Sequence, residues 1–262
     1  MLRSMYAGIS GMRGFQTKLD VIGNNIANVN TIGFKAGRVM FKDILSQTIS
    51  GVTAPADGRG GINPQQIGLG VTLGAIDTLH TQGSAMTTYK VTDLRIDGDG
   101  FFVVSPNADS DEIYLTRAGN FTLDAERKLV NADGMLVLDD NGEAIQLDET
   151  VTAFTIAQNG EIFAIMDDGT AESLDIFIGV AKVVNPGGLE KIGGNLYRMT
   201  PNADLADEVP IFQAMDPEAG TGSIISGQLE MSNVDLTNEF TEMIVAQRGF
   251  QANSRIITTS DE

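Results

Sequence analysis

The side chains that most often perform catalysis or bind metals are scarce in this sequence. It contains no cysteine and a single histidine, His80. This excludes disulfides, thiolate metal sites, thiol nucleophiles and most histidine-based triads and zinc sites. His80 has no evident partner, and we interpret it as structural or exposed. Acidic residues are plentiful, so a carboxylate pair brought together by folding stays an open alternative, although no motif indicates one.

Three short patterns resemble ligand-binding loops without having the required spacing. The glycines of GLGVTLG, which begins at Gly68, do not fit a dinucleotide loop, and no strand–helix–strand unit surrounds them. The patterns DGDG at Asp97 and DDNGE at Asp139 lack the alternating ligands of a calcium loop and are typical of turns. We therefore predict no catalytic residue, no cofactor and no metal site, and we expect a protein that is not an enzyme.

Composition and charge exclude further functional classes of protein. The chain has 262 residues, of which 42% are hydrophobic, and a net charge of −18, which argues against nucleic acid as a partner. No apolar run of about 18 residues predicts a membrane span, and the first residues do not have the pattern of a cleaved signal peptide. Residues 1–45 carry six basic and two acidic side chains, whereas residues 228–262 carry two basic and six acidic ones. The two ends can therefore attract each other, or the acidic middle can simply keep the protein soluble.

Helical spacing marks the beginning of the chain. The apolar residues follow a heptad-like pattern that predicts an amphipathic helix. The predicted packing residues are Leu2, Met5, Ile9, Met12, Leu19, Ile22 and Ile26. The same stretch contains Gly8, Gly11, Gly14 and Gly23, and each interior glycine costs about 0.5–1 kcal/mol relative to alanine. Alone in water, such a helix is marginal.

A second heptad-like pattern lies at the other end of the chain, where the spacing between apolar residues alternates between three and four. The predicted packing residues are Leu236, Phe240, Met243, Phe250 and Ile257. Asp235 is predicted to be the N-cap of this helix, and Glu239 in the first turn favours its dipole. The sequence predicts that the two terminal helices pair as a coiled coil. The alternative is that both helices cover the central domain.

An asparagine-rich turn follows the first helix. The stretch NNIANVNTIGFKAGR holds the predicted turn-motif residues Asn24, Asn25, Asn28, Asn30, Gly33, Phe34 and Lys35. Asparagine side chains replace lost backbone partners and tolerate left-handed geometry, and Gly33 would allow a sharp turn. Phe34 is expected to anchor in a neighbouring subunit or under the β domain, while Lys35 and Arg38 would meet acidic surfaces. The alternative is an ordinary loop between a helix and a strand.

The middle of the chain predicts antiparallel β structure. Short apolar runs alternate with turn signals such as Asp133-Gly134, Asn141-Gly142, Asn159-Gly160 and Asp168-Gly169. We predict a mainly β protein with terminal helices, in which a barrel-like antiparallel domain accompanies a discontinuous coiled-coil unit. The expected domains are 1–45 with 228–262 as the helical unit, 46–75 as a Gly/Pro-rich extended connector and 76–227 as the β domain.

Several long motifs in series resemble the bacterial flagellar axial proteins, the family of rod and hook subunits. Besides the asparagine-rich turn, they are DLRIDGDGFFVV, YLTRAGNFTLD, LVNADGMLVL, GLEKIGGNLYR and the closing SNVDLTNEFTEMIVAQRGFQANSRIITTSDE. The resemblance implies that the terminal helices pair into a layer lining a central channel, with the β domain outside it. It also implies that the termini are disordered in the monomer and fold on assembly. The chain ends at TTSDE, whereas the family's last helix usually continues for a few turns.

The resemblance implies a structural role. We expect a subunit of the flagellar hook that polymerises into a torque-transmitting tube, and the alternative is the distal rod of the basal body. The implied partners are further copies of the chain, adjoining rod, hook or junction proteins, and the flagellar export apparatus. Localisation in the flagellum by the type III export route, without a cleaved signal peptide, is implied as well. A soluble enzyme with a carboxylate site and a secreted adhesin remain as rival classes.

Overall fold

The chain forms two compact units. A computed structural model describes residues 2–55, 60–107, 112–167, 169–205 and 209–261. Unit 1 consists of residues 1–27, 37–79 and 235–262, and unit 2 of residues 28–36 and 80–234. The domain bounds predicted from the sequence treat residues 46–75 as a connector, and they stay a prediction. Unit 1 includes these residues because Val71–Thr78 pairs with Gly37–Asp43 along its whole length.

Unit 1 is built from both terminal helices and two antiparallel strand pairs. Helix α1 spans Leu2–Ala27 and helix α2 spans Leu236–Asp261. The strands are β1 (Gly37–Asp43), β2 (Ser46–Ser50), β3 (Gln65–Gly68) and β4 (Val71–Thr78). β1 pairs with β4 and β2 pairs with β3. Within the described residues, neither helix has a stretch that is long and apolar enough to cross a membrane.

Unit 2 is antiparallel β structure, with one short 3-10 turn at Pro186–Gly188. Its strands are β5 (Ala85–Thr87), β6 (Leu94–Asp97), β7 (Phe101–Ser105), β8 (Tyr114–Thr116), β9 (Thr122–Leu123), β10 (Leu129–Val130), β11 (Leu136–Val137), β12 (Val151–Ile156), β13 (Glu161–Met166), β14 (Ala171–Phe177), β15 (Val180–Ala181), β16 (Glu190–Gly193), β17 (Leu196–Arg198), β18 (Ile211–Phe212), β19 (Ser223–Ser226) and β20 (Gln228–Glu230). The largest sheet runs in the order β16-β17-β8-β7-β11-β10-β9, and β15 also pairs with β7. Smaller sheets pair β12-β13-β14, β6 with β19 and β5 with β20.

Strand β7 lies at the centre of the core. Its four apolar residues, the run FFVV, are all buried. Phe102 and Val104 point into one hydrophobic cluster, while Phe101 and Val103 point into a second one on the opposite face. Successive side chains of a strand alternate between faces, so an unbroken apolar run suits a strand that is covered on both sides. The ring of Phe102 meets Phe121 edge to face at 5.2 Å.

Turn chemistry closes the hairpins. Gly134, Gly142 and Gly160 have positive φ angles of 80–84°, as the Asp-Gly and Asn-Gly signals predict. The side chain of Asp139 accepts backbone N–H bonds from Asn141 and Glu143. The predicted turn at Asp168-Gly169 lies partly outside the described residues, since Asp168 is not among them.

The fold class predicted from the sequence is confirmed: the protein is mainly β, its terminal helices pack together and its β domain is antiparallel. The predicted cap is confirmed too, because the Asp235 carboxylate accepts the backbone N–H of Thr237 at 2.9 Å.

Charge is divided unevenly between the two units. Unit 2 contains nine basic and 26 acidic residues, which gives it −17 of the total −18.

Candidate functional site

The contact between α1 and α2 combines glycines with polar and apolar side chains. Gly11 of α1 faces Asn253, and Phe15 faces Gly249. A Cβ atom added at Gly11 would lie 2.6 Å from Nδ2 of Asn253, and one added at Gly249 would lie 2.6 Å from the Phe15 ring. Such distances are shorter than real side chains tolerate, so the glycines allow the two helix backbones to approach closely.

Polar pairs continue the same face towards the ends of the helices that join unit 2. Lys18 of α1 forms an ion pair with Glu242 of α2, and Asn25 donates to Glu239 at 3.2 Å. Burial raises the pKa of Glu239, and the hydrogen bond from Asn25 partly opposes this shift. The contact residues of α1 thus recur at spacings of four, three and seven residues, as helical geometry requires for one face.

Asn25 also fixes the start of β1. Its side chain is almost completely buried. It donates from Nδ2 to the carbonyl of Gly37 at 2.8 Å and accepts the N–H of Gly37 at 2.9 Å. One asparagine therefore satisfies a strand end as a peptide group would, which explains why an amide is required at this position.

The apolar stripes predicted for subunit packing lie mostly beside this face. Ile22 is buried, and Ile257 contributes to the surroundings of Gly8. Leu236, Phe240 and Phe250 of α2 remain 37–49% exposed. The other predicted positions are half-buried, namely Met5, Ile9, Met12, Leu19, Ile26 and Met243. The side chain of Leu2 lies outside the described part, and the packing role of the whole set stays a prediction.

The asparagine-rich turn enters unit 2 at Asn28. Asn24 and Asn30 are exposed, and Asn28 is half-buried with its side-chain oxygen accepting from Thr31. Gly33 has a φ of +69° and donates its N–H to the carbonyl of Glu230 at 2.8 Å. A Cβ at Gly33 would lie 2.7 Å from the backbone nitrogen of Ala118. Both its backbone angle and its close approach therefore require glycine.

Phe34 and Lys35, which follow this glycine, are buried inside unit 2. The ammonium group of Lys191 lies 5.0 Å from the centre of the Phe34 ring, in a cation–π contact. Lys191 also donates to the carbonyl of Lys35 at 3.1 Å. Arg38, in unit 1, lies 3.4 Å from the carboxylate of Asp77. Thus Lys35 and Arg38 both meet acidic side chains, Lys35 through the pair described next.

A buried ion cluster of Lys35, Glu230 and Arg117 holds the turn. Lys35 and Glu230 are completely buried and lie 2.6 Å apart, Nζ to Oε1. Arg117 lies 3.5 Å from the other carboxylate oxygen and donates to the carbonyls of Ile96 and Gly98. Burial lowers the pKa of Lys35, and the Glu230 carboxylate opposes this shift. An unpaired charge would be very costly here.

His80 packs against the same cluster. Its ring contacts Phe101 and Tyr197 at 5.8 and 5.6 Å. Burial, together with the neighbouring cations of Lys35, Lys191 and Arg117, lowers the pKa of His80 to about 4. The histidine is therefore neutral near pH 7 and acts as a packing residue. Burial also raises the pKa of Tyr197 to about 12.

Acidic residues of unit 2 also line a cleft. A cleft of about 810 Å³ is lined partly by Glu112, Asp140 and Arg198. Arg198 pairs with Glu190 at 2.6 Å, and Asp140 accepts from Gln213 at 2.9 Å. Among the described residues, His, Asp and Glu form no group of three or more that could hold a metal ion.

Comparison with known proteins gives the class of this fold. Residues 5–35 match the family model of the flagella basal body rod protein, and residues 95–164 match that of the flagellar hook protein FlgE/F/G D1 domain. Residues 225–262 match the flagellar basal body rod FlgEFG protein C-terminal model. The three matches cover the turn motif, most of the β strands around β7 and the whole of α2.

Rod and hook proteins of other bacteria are similar to this chain over its full length. The flagellar basal-body rod protein FlgG of Bacillus subtilis is 52% identical, with 100% of this chain and 96% of the relative covered. FlgG of Caulobacter vibrioides is 35% identical with the same coverage. The flagellar hook protein FlgE of Borreliella burgdorferi is 30% identical, with 98% of the relative covered. The chain belongs to the FlgE/F/G family of flagellar rod and hook proteins, and it is a structural protein of the flagellar axis.

The helix contact generates a first prediction. Replacing Gly11 with leucine should push Asn253 away and separate the helices, which lowers the stability of unit 1 by about 1–3 kcal/mol. As a control, Gly23→Ala adds a methyl group at an exposed helical position with nothing within 4 Å, so it should stabilise α1 by about 0.5–1 kcal/mol. Thermal melting of the full chain, followed by circular dichroism at 222 nm, measures both. An unchanged melt for Gly11→Leu would show that the close approach is unnecessary.

The burial of His80 generates a second prediction. The pKa of His80 is about 4 in the folded protein against 6.5 for the free side chain. Its contribution to stability is complete above pH 6.5 and is lost as the pH falls towards 4, because the unfolded chain binds the proton first. The loss should reach about 1–3 kcal/mol. Urea unfolding of wild type and His80→Gln across this range measures it, and parallel curves for the two proteins would refute the assignment.

Proposed function

We propose that this chain is a subunit of the flagellar rod that polymerises through its terminal helices. The observation that carries the proposal is the apolar surface of α2 that its own chain leaves uncovered. Phe240 and Ile244, one helical turn apart, are 49% and 60% exposed. Exposed apolar residues grouped on one helix face are a typical docking surface. Contacts between unlike surfaces of successive copies produce an open helical filament rather than a closed ring.

The lengths of the relatives favour the rod over the hook. The Bacillus subtilis rod protein aligns with this chain end to end over 263 positions. The alignment with the Borreliella hook protein needs 441 positions for these 262 residues. A hook protein of Treponema pallidum matches at 51% identity, yet only 29% of its length is covered. These hook relatives contain sequence for which this chain has no counterpart.

The hook subunit, which the sequence motifs favour, is the second candidate. It is supported by the match of residues 95–164 to the hook protein FlgE/F/G D1 domain. In either role the partners are further copies of the chain and the adjoining axial proteins. Delivery through the flagellar export apparatus without a cleaved signal peptide, and ordering of the terminal helices on assembly, belong to the same proposal and rest on family membership.

The assembly surface can be tested directly. Replacing both Phe240 and Ile244 with asparagine should leave the circular dichroism of the monomer unchanged. The fraction of protein that pellets as polymer should fall by at least about tenfold, because desolvated apolar anchors dominate association energies. The control changes Thr241 and Gln251, which are exposed polar positions on the same helix, to asparagine. Equal polymer yields for the two variants would count against this surface.

The choice between rod and hook can be tested by replacement. Expressing this chain in a Bacillus subtilis strain that lacks its FlgG should restore swimming, because the two proteins are similar along their entire lengths. Electron microscopy of isolated basal bodies shows the stage at which assembly stops without the chain. Rescue of a strain that lacks the hook protein, but not of the FlgG strain, would favour the hook instead.

A further inference from the structure

The ion cluster lies within unit 2, beside three of the four points at which the chain enters or leaves this unit. The chain passes from one unit to the other after residues 27, 36, 79 and 234. Three of these passages adjoin short segments of unit 2 that contact one another, namely 35–36, 80–83 and 230–233. The first of them carries Lys35 and the last carries Glu230.

Hydrogen bonds to main-chain atoms join the three segments. Lys35 donates from Nζ to the carbonyl of Thr81 at 2.7 Å. Glu230 accepts the N–H of Gly83 at 2.9 Å on the oxygen that also meets Lys35. Asn233 accepts the N–H of Ala36 at 2.8 Å and donates to the Thr81 hydroxyl at 2.9 Å. Main-chain atoms of segments 35–36 and 80–83 are therefore held by side chains of neighbouring segments, which fixes the position of the chain there.

The energetics of buried ions indicate a role other than stability. Two cations and one carboxylate are removed from water at this place. Replacing such a group with apolar side chains of similar volume often leaves a protein equally or more stable. Apolar side chains could fill the space of Lys35 and Glu230. They could not bind the carbonyl of Thr81 or the N–H of Gly83.

We propose that the Lys35–Glu230 pair is a positioning device. It fixes the points at which the chain leaves unit 2, so that every subunit enters the polymer with the same geometry. Stability of unit 2 is supplied by the apolar clusters around β7. The assembly part of this inference rests on the proposed polymerisation, whereas the fixing of the backbone concerns the single chain.

The test separates position from stability. In the triple variant Lys35→Met, Arg117→Met and Glu230→Met, which leaves no charge of the cluster unpaired, the urea midpoint of unfolding should stay close to that of the wild type. Amide hydrogen exchange at Ala36 and Gly83 should accelerate by at least about tenfold, because the main-chain contacts of these segments are lost or loosened. Polymers, observed by electron microscopy, should vary more in curvature and grow more slowly from wild-type seeds.

A matched control uses an exposed ion pair of unit 2. Arg198 and Glu190 lie 2.6 Å apart with more than half of each side chain exposed, so changing both to glutamine should alter none of these measurements. The single variant Glu230→Met, which strands two buried cations, should in contrast unfold at lower urea.

Two results would overturn the inference. One is amide exchange at Ala36 and Gly83 that the triple variant leaves unchanged. The other is a loss of stability in the triple variant that parallels its loss of assembly, since a purely structural cluster would give that pattern. If the wild type itself does not polymerise, the proposed function fails, and amide exchange in the monomer alone then decides the positioning role.

Discussion

Burial of the Glu230 carboxylate is the constraint on which the joining segments of unit 2 depend. A carboxylate without water needs cations and hydrogen-bond donors on every side, and here they come from distant parts of the chain. Lys35 arrives with the turn after α1, and Arg117 follows strand β8. The backbone of Glu230 meanwhile accepts from Gly33. The conformation of the asparagine-rich turn consequently places two residues: Gly33 fits against Ala118, and Lys35 reaches the carboxylate.

The packing of the two terminal helices depends on a close approach of their backbones. Two of the glycines that weaken α1 as an isolated helix, Gly8 and Gly11, are residues that let α2 approach it. What a glycine costs in helix propensity is offset by packing that a larger side chain would block. The apolar residues Phe240 and Ile244 nevertheless stay 49% and 60% exposed.

Local signals in the sequence predicted much of this fold. The Asp235 cap and the Asn-Gly and Asp-Gly hairpins each depend on neighbours in sequence. The pairing of the two terminal helices was predicted, but most residues of their contact were not, because glycine, lysine and asparagine are invisible to a search for apolar periodicity. The ion cluster was even harder to predict from the sequence. Lys35 was singled out for its place in the turn, but nothing local to Glu230 or Arg117 indicates that folding brings them together.

The uneven division of charge has a consequence for crowded arrays. With −17 on unit 2 and −1 on unit 1, a row of many copies is a polyanion whose field reaches about 8 Å at physiological ionic strength. Such a row gathers a layer of mobile counterions. In the proposed polymer, two rows that approach each other must compress these layers, and the resulting osmotic resistance opposes the bundling of neighbouring fibres.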